Sequence, residues 1–236
     1  MQLSTKKRCT AIVLAAGQGT RMGTEIQKQY LELDGRPVLY YSLRTFQDSP
    51  LIDEIVLVVG EGQESYCRKE IVERFGIHKV SRITCGGTER YHSVWNGLQE
   101  LSDDGYVFIH DGARPFVDEE IIERVYEHVV EYDACVVGMP VKDTIKTVDE
   151  QDFVTATPNR NLVWMIQTPQ VFRTDIVKKA YGLLMECGAE NITDDAMVVE
   201  QMLSLPIRLV RGSYENIKIT TPEDLEIAGV FVRRKK

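Results

Sequence analysis

Apolar runs of strand length alternate with helical patterns along most of the chain, and this alternation constrains the fold most. Thr10–Ala15 (TAIVLA), Glu54–Gly60 (EIVLVVG), Val80–Thr84, Tyr106–His110 (YVFIH) and Ala134–Pro140 (ACVVGMP) read as strands. Between them, Val38–Gln47, Gln63–Phe75, Glu89–Leu101 and Asp118–Glu131 read as helices. In the third of these, Val94, Trp95, Leu98 and Leu101 recur at helical spacing. Strands that are apolar without interruption are those buried on both faces. A β-α-β-α order of such strands predicts an α/β fold built on a mainly parallel sheet with helices on both faces.

That pattern corresponds to a Rossmann-like single domain over 1–236, and one stretch departs from it. Lys142–Thr168 carries β-branched residues in short alternations, with turn residues at Asp149–Asp152. It predicts a β-hairpin or arm, at about 142–168, projecting from the sheet. Helices follow at Asp175–Glu186 and Asp194–Gln201, and strands at Ile207–Arg211 and Asn216–Thr220. A last helix starts at Pro222, where proline suits the first turn.

Composition narrows the function classes. Twenty-eight Lys and Arg against 36 Asp and Glu give a net charge of −8. An acidic chain argues against binding a nucleic acid polymer, which calls for a basic face. It leaves room for a small phosphorylated ligand held by local cations. No run is long enough for a membrane span. The five cysteines (Cys9, Cys67, Cys85, Cys135 and Cys187) form no CxxC pair, so neither a zinc site nor a disulfide framework is expected. The apolar run after the basic start ends at a glycine loop and reads as a strand, so the expected compartment is the cytoplasm.

The first strand runs into AAGQGTRMG at 15–23. A glycine-rich loop in this position lets backbone N–H groups approach an anion. The Walker pattern GxxxxGK(S/T) fails here, and GxGxxG fails at Met22. The loop instead offers Arg21, with Lys28 seven residues on. From the loop alone, a triphosphate clamp and a pair of solvated surface cations fit equally well.

AAGxGxRM followed by Lys28-Gln29 resembles the signature of nucleotidyltransferases that activate sugar or polyol phosphates. Further segments occur in order: GGTERYHSV at 86–94, HDGARP at 110–115, PVKDTIK at 140–146, RNLVW at 160–164, TPQ at 168–170, Thr193-Asp194, NIKIT at 216–220 and PED at 222–224. Together they resemble the 2-C-methyl-D-erythritol 4-phosphate cytidylyltransferase family of the non-mevalonate isoprenoid pathway, from about Ala11 to Ala228. The resemblance implies transfer of CMP from CTP to a phosphorylated polyol. Ala15, Ala16, Gly17 and Gly19 would approach CTP, with Arg21 and Lys28 on its phosphates. Gly87 and Ser93 would read the cytosine, with Arg90 nearby. Asp111 would face the ribose, the metal region and the polyol, supported by Arg114. Thr144, Arg160, Thr168 and Lys218 would hold the polyol phosphate, and Arg21, Lys28, Arg160 and Lys218 would be catalytic. The resemblance also implies Mg²⁺, carried mostly by CTP phosphates with Asp111 as protein ligand, and a homodimer in which Arg160 serves the partner's site.

Each of these residues has a plainer reading. Asp111 could cap a helix, Ser93 could be an ordinary helix residue, and the Thr144 hydroxyl could be incidental. Arg160 in an arm would usually be solvated. Lys218 within an apolar strand needs an anion, because an unpaired buried ammonium is costly. Where many relatives have proline before the lysine, this chain has Gln27. The rival readings are a ribitol-5-phosphate cytidylyltransferase and a non-catalytic nucleotide-binding module on the same fold.

Overall fold

In a computed structural model, which describes residues 6–17, 27–188 and 191–234, the apolar runs lie side by side in one sheet. In chain order the strands and helices begin with β1 (Cys9–Ala15), a small hairpin of β2 (Glu32–Leu33) and β3 (Arg36–Pro37), α1 (Val38–Asp48) and β4 (Glu54–Val59). A helical segment follows, α2 (Glu64–Tyr66), continued by wider π-type turns over Cys67–Glu73. Then come β5 (Val80–Cys85), α3 (Arg90–Gln99), β6 (Tyr106–Asp111), α4 (Glu119–Tyr132) and β7 (Ala134–Pro140). The chain finishes with β8 (Thr147–Val148), β9 (Val154–Ala156), β10 (Trp164–Arg173), α5 (Thr174–Cys187), α6 (Asp195–Leu203), β11 (Arg208–Arg211) and α7 (Pro222–Arg234).

Among the described residues, the central sheet has seven strands in the order β11-β7-β10-β6-β1-β4-β5. All neighbours are parallel except β10, which is antiparallel to both β6 and β7. Alternate side chains of each inner strand feed two cores. Cys9, Ala11 and Val13 of β1 pack with Leu39, Leu43 and Phe46 of α1 and Ile121, Ile122 and Val125 of α4. Ile12, Val56, Val58, Val107 and Ile109 face the other way, toward Val94 and Leu98 of α3, Val177 and Tyr181 of α5, and Val198 and Val199 of α6. Burial on both faces is why these strands carry no polar alternation. Asp118 and Asp194 cap α4 and α6, accepting hydrogen bonds from Ile121 N and Met197 N at 2.9 Å.

Two elements differ from the sequence expectation. Asn216–Thr220 forms no strand. Its Ile217-Lys218-Ile219 alternation has period two, but its link to the neighbouring turn is one backbone bond, Ile219 N to Ala113 O at 2.8 Å. Ile219 is buried against Leu33, Val38 and Phe116, so the alternation reflects packing without a ladder. Conversely, Trp164–Thr168, read as the end of the arm, belongs to β10 in the central sheet. Pro169 argues against a strand in sequence, since it cannot donate to a ladder. Here the pairing with β7 shifts register between Ile166 and Gln170, and the proline sits in that interruption. Beyond the sheet, β8 and β9 do form a hairpin. Its turn is held by Asp149, whose Oδ1 accepts from Gln151 N and Phe153 N at 3.0 Å.

Chain direction reverses beside β1. The path runs β1 to β4 to β5 on one side and returns to β6 on the other. In open α/β sheets, the crevice beyond the carboxyl ends at such a point is where ligands bind. The entrance to β6 depends on Gly105, whose φ is +105°. A Cβ there would strike the Arg8 carbonyl oxygen, which accepts from Tyr106 N at 2.8 Å. Gly105→Ala is expected to destabilise the fold by about 2 kcal/mol or more. The check is a lower urea midpoint at unchanged m-value.

Candidate active site

A cleft of about 400 Å³ opens at this reversal point. It is lined by Leu14, Ala16 and Gly17 after β1, by Gly87–Arg90 and Ser93 around the start of α3, and by Asp111 and Ala113 after β6. Lys28, Gln29 and Lys218 complete it. A larger cavity of about 840 Å³ lies elsewhere, between α1, the segment 115–119 and Val232 of α7. There Arg36 stacks on Tyr40 and Arg44 pairs with Asp48, so the cations of that cavity are already engaged.

The floor of the cleft is the first loop. Lys28–Tyr30 forms a single 3-10 turn. The buried Gln29 amide nitrogen reaches Ala15 O at 2.6 Å, Gly17 O at 3.1 Å and Gln27 Oε1 at 2.7 Å. Gln29 thereby ties the lysine turn to the end of β1. Ala15 itself is buried and contributes this carbonyl. Gly19 and Arg21 lie outside the described residues.

One wall is the N-terminus of α3, whose dipole favours an anion. Glu89 and His92 form a reciprocal capping box there. Ser93 is buried, and its Oγ accepts from Gly87 N at 3.1 Å. Ser93 thus shapes the glycine turn as well as lining the cleft. Gly86 must lack a side chain, because a Cβ would collide with Ala16 Cβ and lie 2.6 Å from Ser93 Oγ.

The other wall centres on Asp111. Its Oδ1 accepts from Arg90 Nε at 3.1 Å and its Oδ2 from Lys218 Nζ at 2.7 Å. Arg90 sends its two terminal nitrogens to the carboxylate of Asp195, each at 2.8 Å. Tyr181 donates to Asp195 Oδ1 at 2.6 Å. Burial alone pushes the Asp111 carboxyl up, but Arg90, Lys218 and Arg114 more than offset this and hold it far below the usual carboxylate range. Arg90 is likewise desolvated, yet Asp195 and Asp111 push its guanidinium further toward the charged form. The anion that sequence reasoning sought for Lys218 is therefore present in the protein, as Asp111.

Lys218 reaches that position because its loop is pinned at several points. Arg114 Nη1 donates to Asn216 O at 2.8 Å, and Asn216 Nδ2 donates to Thr168 O at 2.9 Å. Behind Asp111, its N–H donates to Thr168 Oγ1 at 3.1 Å, and that hydroxyl lies 3.0 Å from His110 Nδ1. His110 Nε2 sits 3.0 Å from the Arg114 carbonyl oxygen. A carbonyl only accepts, so Nε2 carries the proton and Nδ1 accepts from Thr168. The Thr168 hydroxyl is thus committed to this chain of bonds, and Thr168 lies behind the cleft lining.

Of the residues named from sequence, Ala16, Gly17, Lys28, Gly87, Arg90, Ser93, Asp111 and Lys218 meet in the cleft. Arg114 and Thr168 support it from behind. Thr144 and Arg160 are exposed in the arm, outside the cleft lining of this chain. Sequence reasoning did not assign roles to Gln29, His110, Tyr181, Asp195 or Asn216. The only signal for Asp195 was its place beside the Thr193-Asp194 pair.

The arrangement suits charge management rather than nucleophilic chemistry. The thiols of Cys9 and Cys135 are buried and pushed up to about 12, and His110 is locked in a hydrogen-bonded tautomer. Among the described residues, no three His, Cys, Asp or Glu side chains converge as a metal cage. Two carboxylates line the cleft: Glu89, whose side chain caps α3, and Asp111, which would be the protein's donor to a cation. That matches Mg²⁺, which keeps waters and phosphate oxygens as most of its ligands.

Comparison with known proteins identifies the family. The family model for 2-C-methyl-D-erythritol 4-phosphate cytidylyltransferase matches residues 9–234. The chain is 52% identical over 226 residues to the 2-C-methyl-D-erythritol 4-phosphate cytidylyltransferase of Lachnospira eligens, covering 95% of this chain and 99% of the relative. It is 48% identical to the protein of the same name from Lachnoclostridium phytofermentans, covering 96% and 97%. Its fold is similar to the crystal structure of 4-diphosphocytidyl-2C-methyl-D-erythritol synthase from Anaerococcus prevotii. That match has a TM-score of 0.84 and 33% identity, covering 97% of this chain and 99% of that one. The Thermus thermophilus cytidylyltransferase aligns with a TM-score of 0.77 at 30% identity, covering 94% and 98%.

His110 gives this site a pH dependence. Burial pushes its imidazole down from 6.5 to about 4. Below pH 6.5 the unfolded chain takes up a proton that the folded chain refuses, so stability falls as pH drops from about 6.5 to about 4, by up to roughly 3 kcal/mol. Urea unfolding across this window is expected to show a shallower pH slope for His110→Gln than for the wild type. Equal slopes would contradict the neutral buried imidazole.

Proposed function

The chain belongs to the 2-C-methyl-D-erythritol 4-phosphate cytidylyltransferase family, and from that premise we propose how its residues carry out the reaction. CMP passes from CTP to 2-C-methyl-D-erythritol 4-phosphate, giving 4-diphosphocytidyl-2-C-methyl-D-erythritol and pyrophosphate, a step in isoprenoid precursor synthesis. The observation that carries the reading is Asp111, held ionised between Arg90 and Lys218 in a cleft that also contains Lys28 and two glycine turns.

The nucleophile is the phosphate of the substrate, already an anion, so no protein base is needed. One of its oxygens attacks the α-phosphorus of CTP in line, a new P–O bond forms, and the bond to the β-phosphate breaks. The obstacle is repulsion between two polyanions and the charge gathering on the leaving pyrophosphate. Catalysis is therefore positioning plus cationic stabilisation. Gly17, Gly19 and the N-terminus of α3 receive the nucleotide, Gly87 and Ser93 flank the base, and Arg21 and Lys28 stabilise the triphosphate. Lys218 turns from Asp111 to the incoming phosphate. Asp111 would hold Mg²⁺, which would supply charge neutralisation to the CTP phosphates.

The arm supplies the rest. Arg160 reaches the polyol phosphate of a partner's site in a homodimer, and Thr144 contributes to holding the substrate. Exposed apolar side chains on and beside the arm, Phe153 at 71% and Leu162 at 81% exposure, give the contact something to bury. The enzyme works in the cytoplasm, on small anionic substrates and not on nucleic acid.

Three measurements test this. With Mg²⁺, pyrophosphate is expected from CTP plus 2-C-methyl-D-erythritol 4-phosphate. Release with ribitol 5-phosphate alone would overturn the substrate, and release with no pair would overturn the enzyme. Lys28→Ala and Arg21→Ala should each lose about 10² in kcat, close to 3 kcal/mol of transition-state stabilisation; unchanged turnover in both contradicts their role. In analytical ultracentrifugation the protein should sediment as a dimer at micromolar concentration, with Leu162→Glu shifted toward monomer and less active. A wild-type monomer would refute the shared site.

A further inference from the structure

We propose that Asp195 is the positioning residue of this cleft, acting through Arg90 to set the orientation of Asp111. The proposal deepens the reading of the cleft as a nucleotide site and rests on it for its kinetic part. Asp195 is fully buried, so it does not line the cleft or reach a ligand there. Its carboxylate nonetheless receives three hydrogen bonds, two from Arg90 and one from Tyr181.

The placement of Asp195 is built from three elements. It lies in the first turn of α6, directly after the Asp194 cap. Gln170 of β10 spans that turn, donating to Asp194 Oδ2 at 3.0 Å and accepting from Ala196 N at 2.9 Å. Tyr181 of α5 reaches Asp195 from the side. The helix turn that carries Asp195, and its Oδ1, are thus held by contacts other than Arg90.

Geometry then determines what Arg90 does. A guanidinium is planar, and a bidentate carboxylate fixes that plane. With both terminal nitrogens on Asp195, the remaining Nε–H points to Asp111 Oδ1. Arg90 therefore reaches Asp111 by one hydrogen bond and leaves Oδ2 to Lys218. If Asp195 lost its charge, the terminal nitrogens would be free to fork onto Asp111 or to swing out to a phosphate. Either move displaces the carboxylate from the geometry the reaction uses while leaving the cleft open to CTP.

The test is a double-mutant cycle read by kinetics and by NMR. Asp195→Asn is expected to lower kcat by about 10- to 100-fold, with KM for CTP changed less than about threefold, the split expected of a contact expressed in the transition state. Arg90→Lys keeps the charge but cannot fork. In that background Asp195→Asn should cost less than about threefold, because the interaction is already gone. The same loss in both backgrounds would overturn the proposal, placing Asp195 in the packing of α6 alone. Tyr181→Phe, a milder change, should lower kcat by a few fold in the wild type and add nothing to Asp195→Asn; an additive loss counts against the chain of contacts.

A second readout needs no turnover. In ligand-free wild-type protein, the Arg90 Nε–H should give a sharp, slowly exchanging ¹⁵N cross-peak, identified by its absence in Arg90→Lys. Asp195→Asn should broaden or remove it at unchanged circular dichroism, and persistence of the peak would overturn the proposal. If the wild type releases no pyrophosphate, the functional reading fails, while this spectrum still decides whether Asp195 holds Arg90.

Discussion

The bond between Arg90 and Asp195 is the constraint on which the site depends. It joins the first turns of α3 and α6, residues 105 apart in sequence. Desolvating a guanidinium and two carboxylates is costly unless every partner is in place. Here the partners form a line: Tyr181, Asp195, Arg90, Asp111 and Lys218. Four of the five carry charge, with signs alternating, so each ion is flanked by its opposite. Removing an interior member would leave a neighbour uncompensated in a low-dielectric setting, so the line acts as a unit.

The sequence revealed the elements whose burial is simple and missed those whose burial is conditional. β1, β4, β6 and β7 are covered on both faces, so an apolar run was enough to find them. β10 was obscured by Pro169, and Asn216–Thr220 imitated a strand because Ile217 and Ile219 pack on one side. In the site, resemblance located Lys28, Arg90, Ser93, Asp111 and Lys218, and the fold brings these together. Gln29, His110 and Asp195 stayed hidden for a physical reason. Each works by hydrogen bonds to groups that become neighbours only after folding, and neither periodicity nor charge spacing encodes such partners.

The overall charge of −8 and a site for polyanions are compatible because the two act at different ranges. Surface charges are screened within about 8 Å at physiological ionic strength. Arg90 and Lys218 act at contact distance in a partly desolvated cleft, where screening is weak. Their charge is balanced internally by Asp111 and Asp195. A triphosphate must compete with these carboxylates, which favours ligands that bring several oxygens and a divalent cation together.

The reversed strand β10 has a consequence for how the molecule is made. It fills the gap between β6 and β7, strands that do not touch each other. Until it enters, β6-β1-β4-β5 and β7 are separate, and β11, the other neighbour of β7, is made later still. Each piece presents an unpaired edge, Tyr106–Asp111 on one and Ala134–Met139 on the other, both buried in the finished sheet. On a ribosome, both edges emerge before the strand that closes them. The nascent chain thus passes through a window in which unpaired, hydrophobic edges invite pairing with other chains. The arm residues 142–163 precede the closing strand, so their synthesis falls within this window.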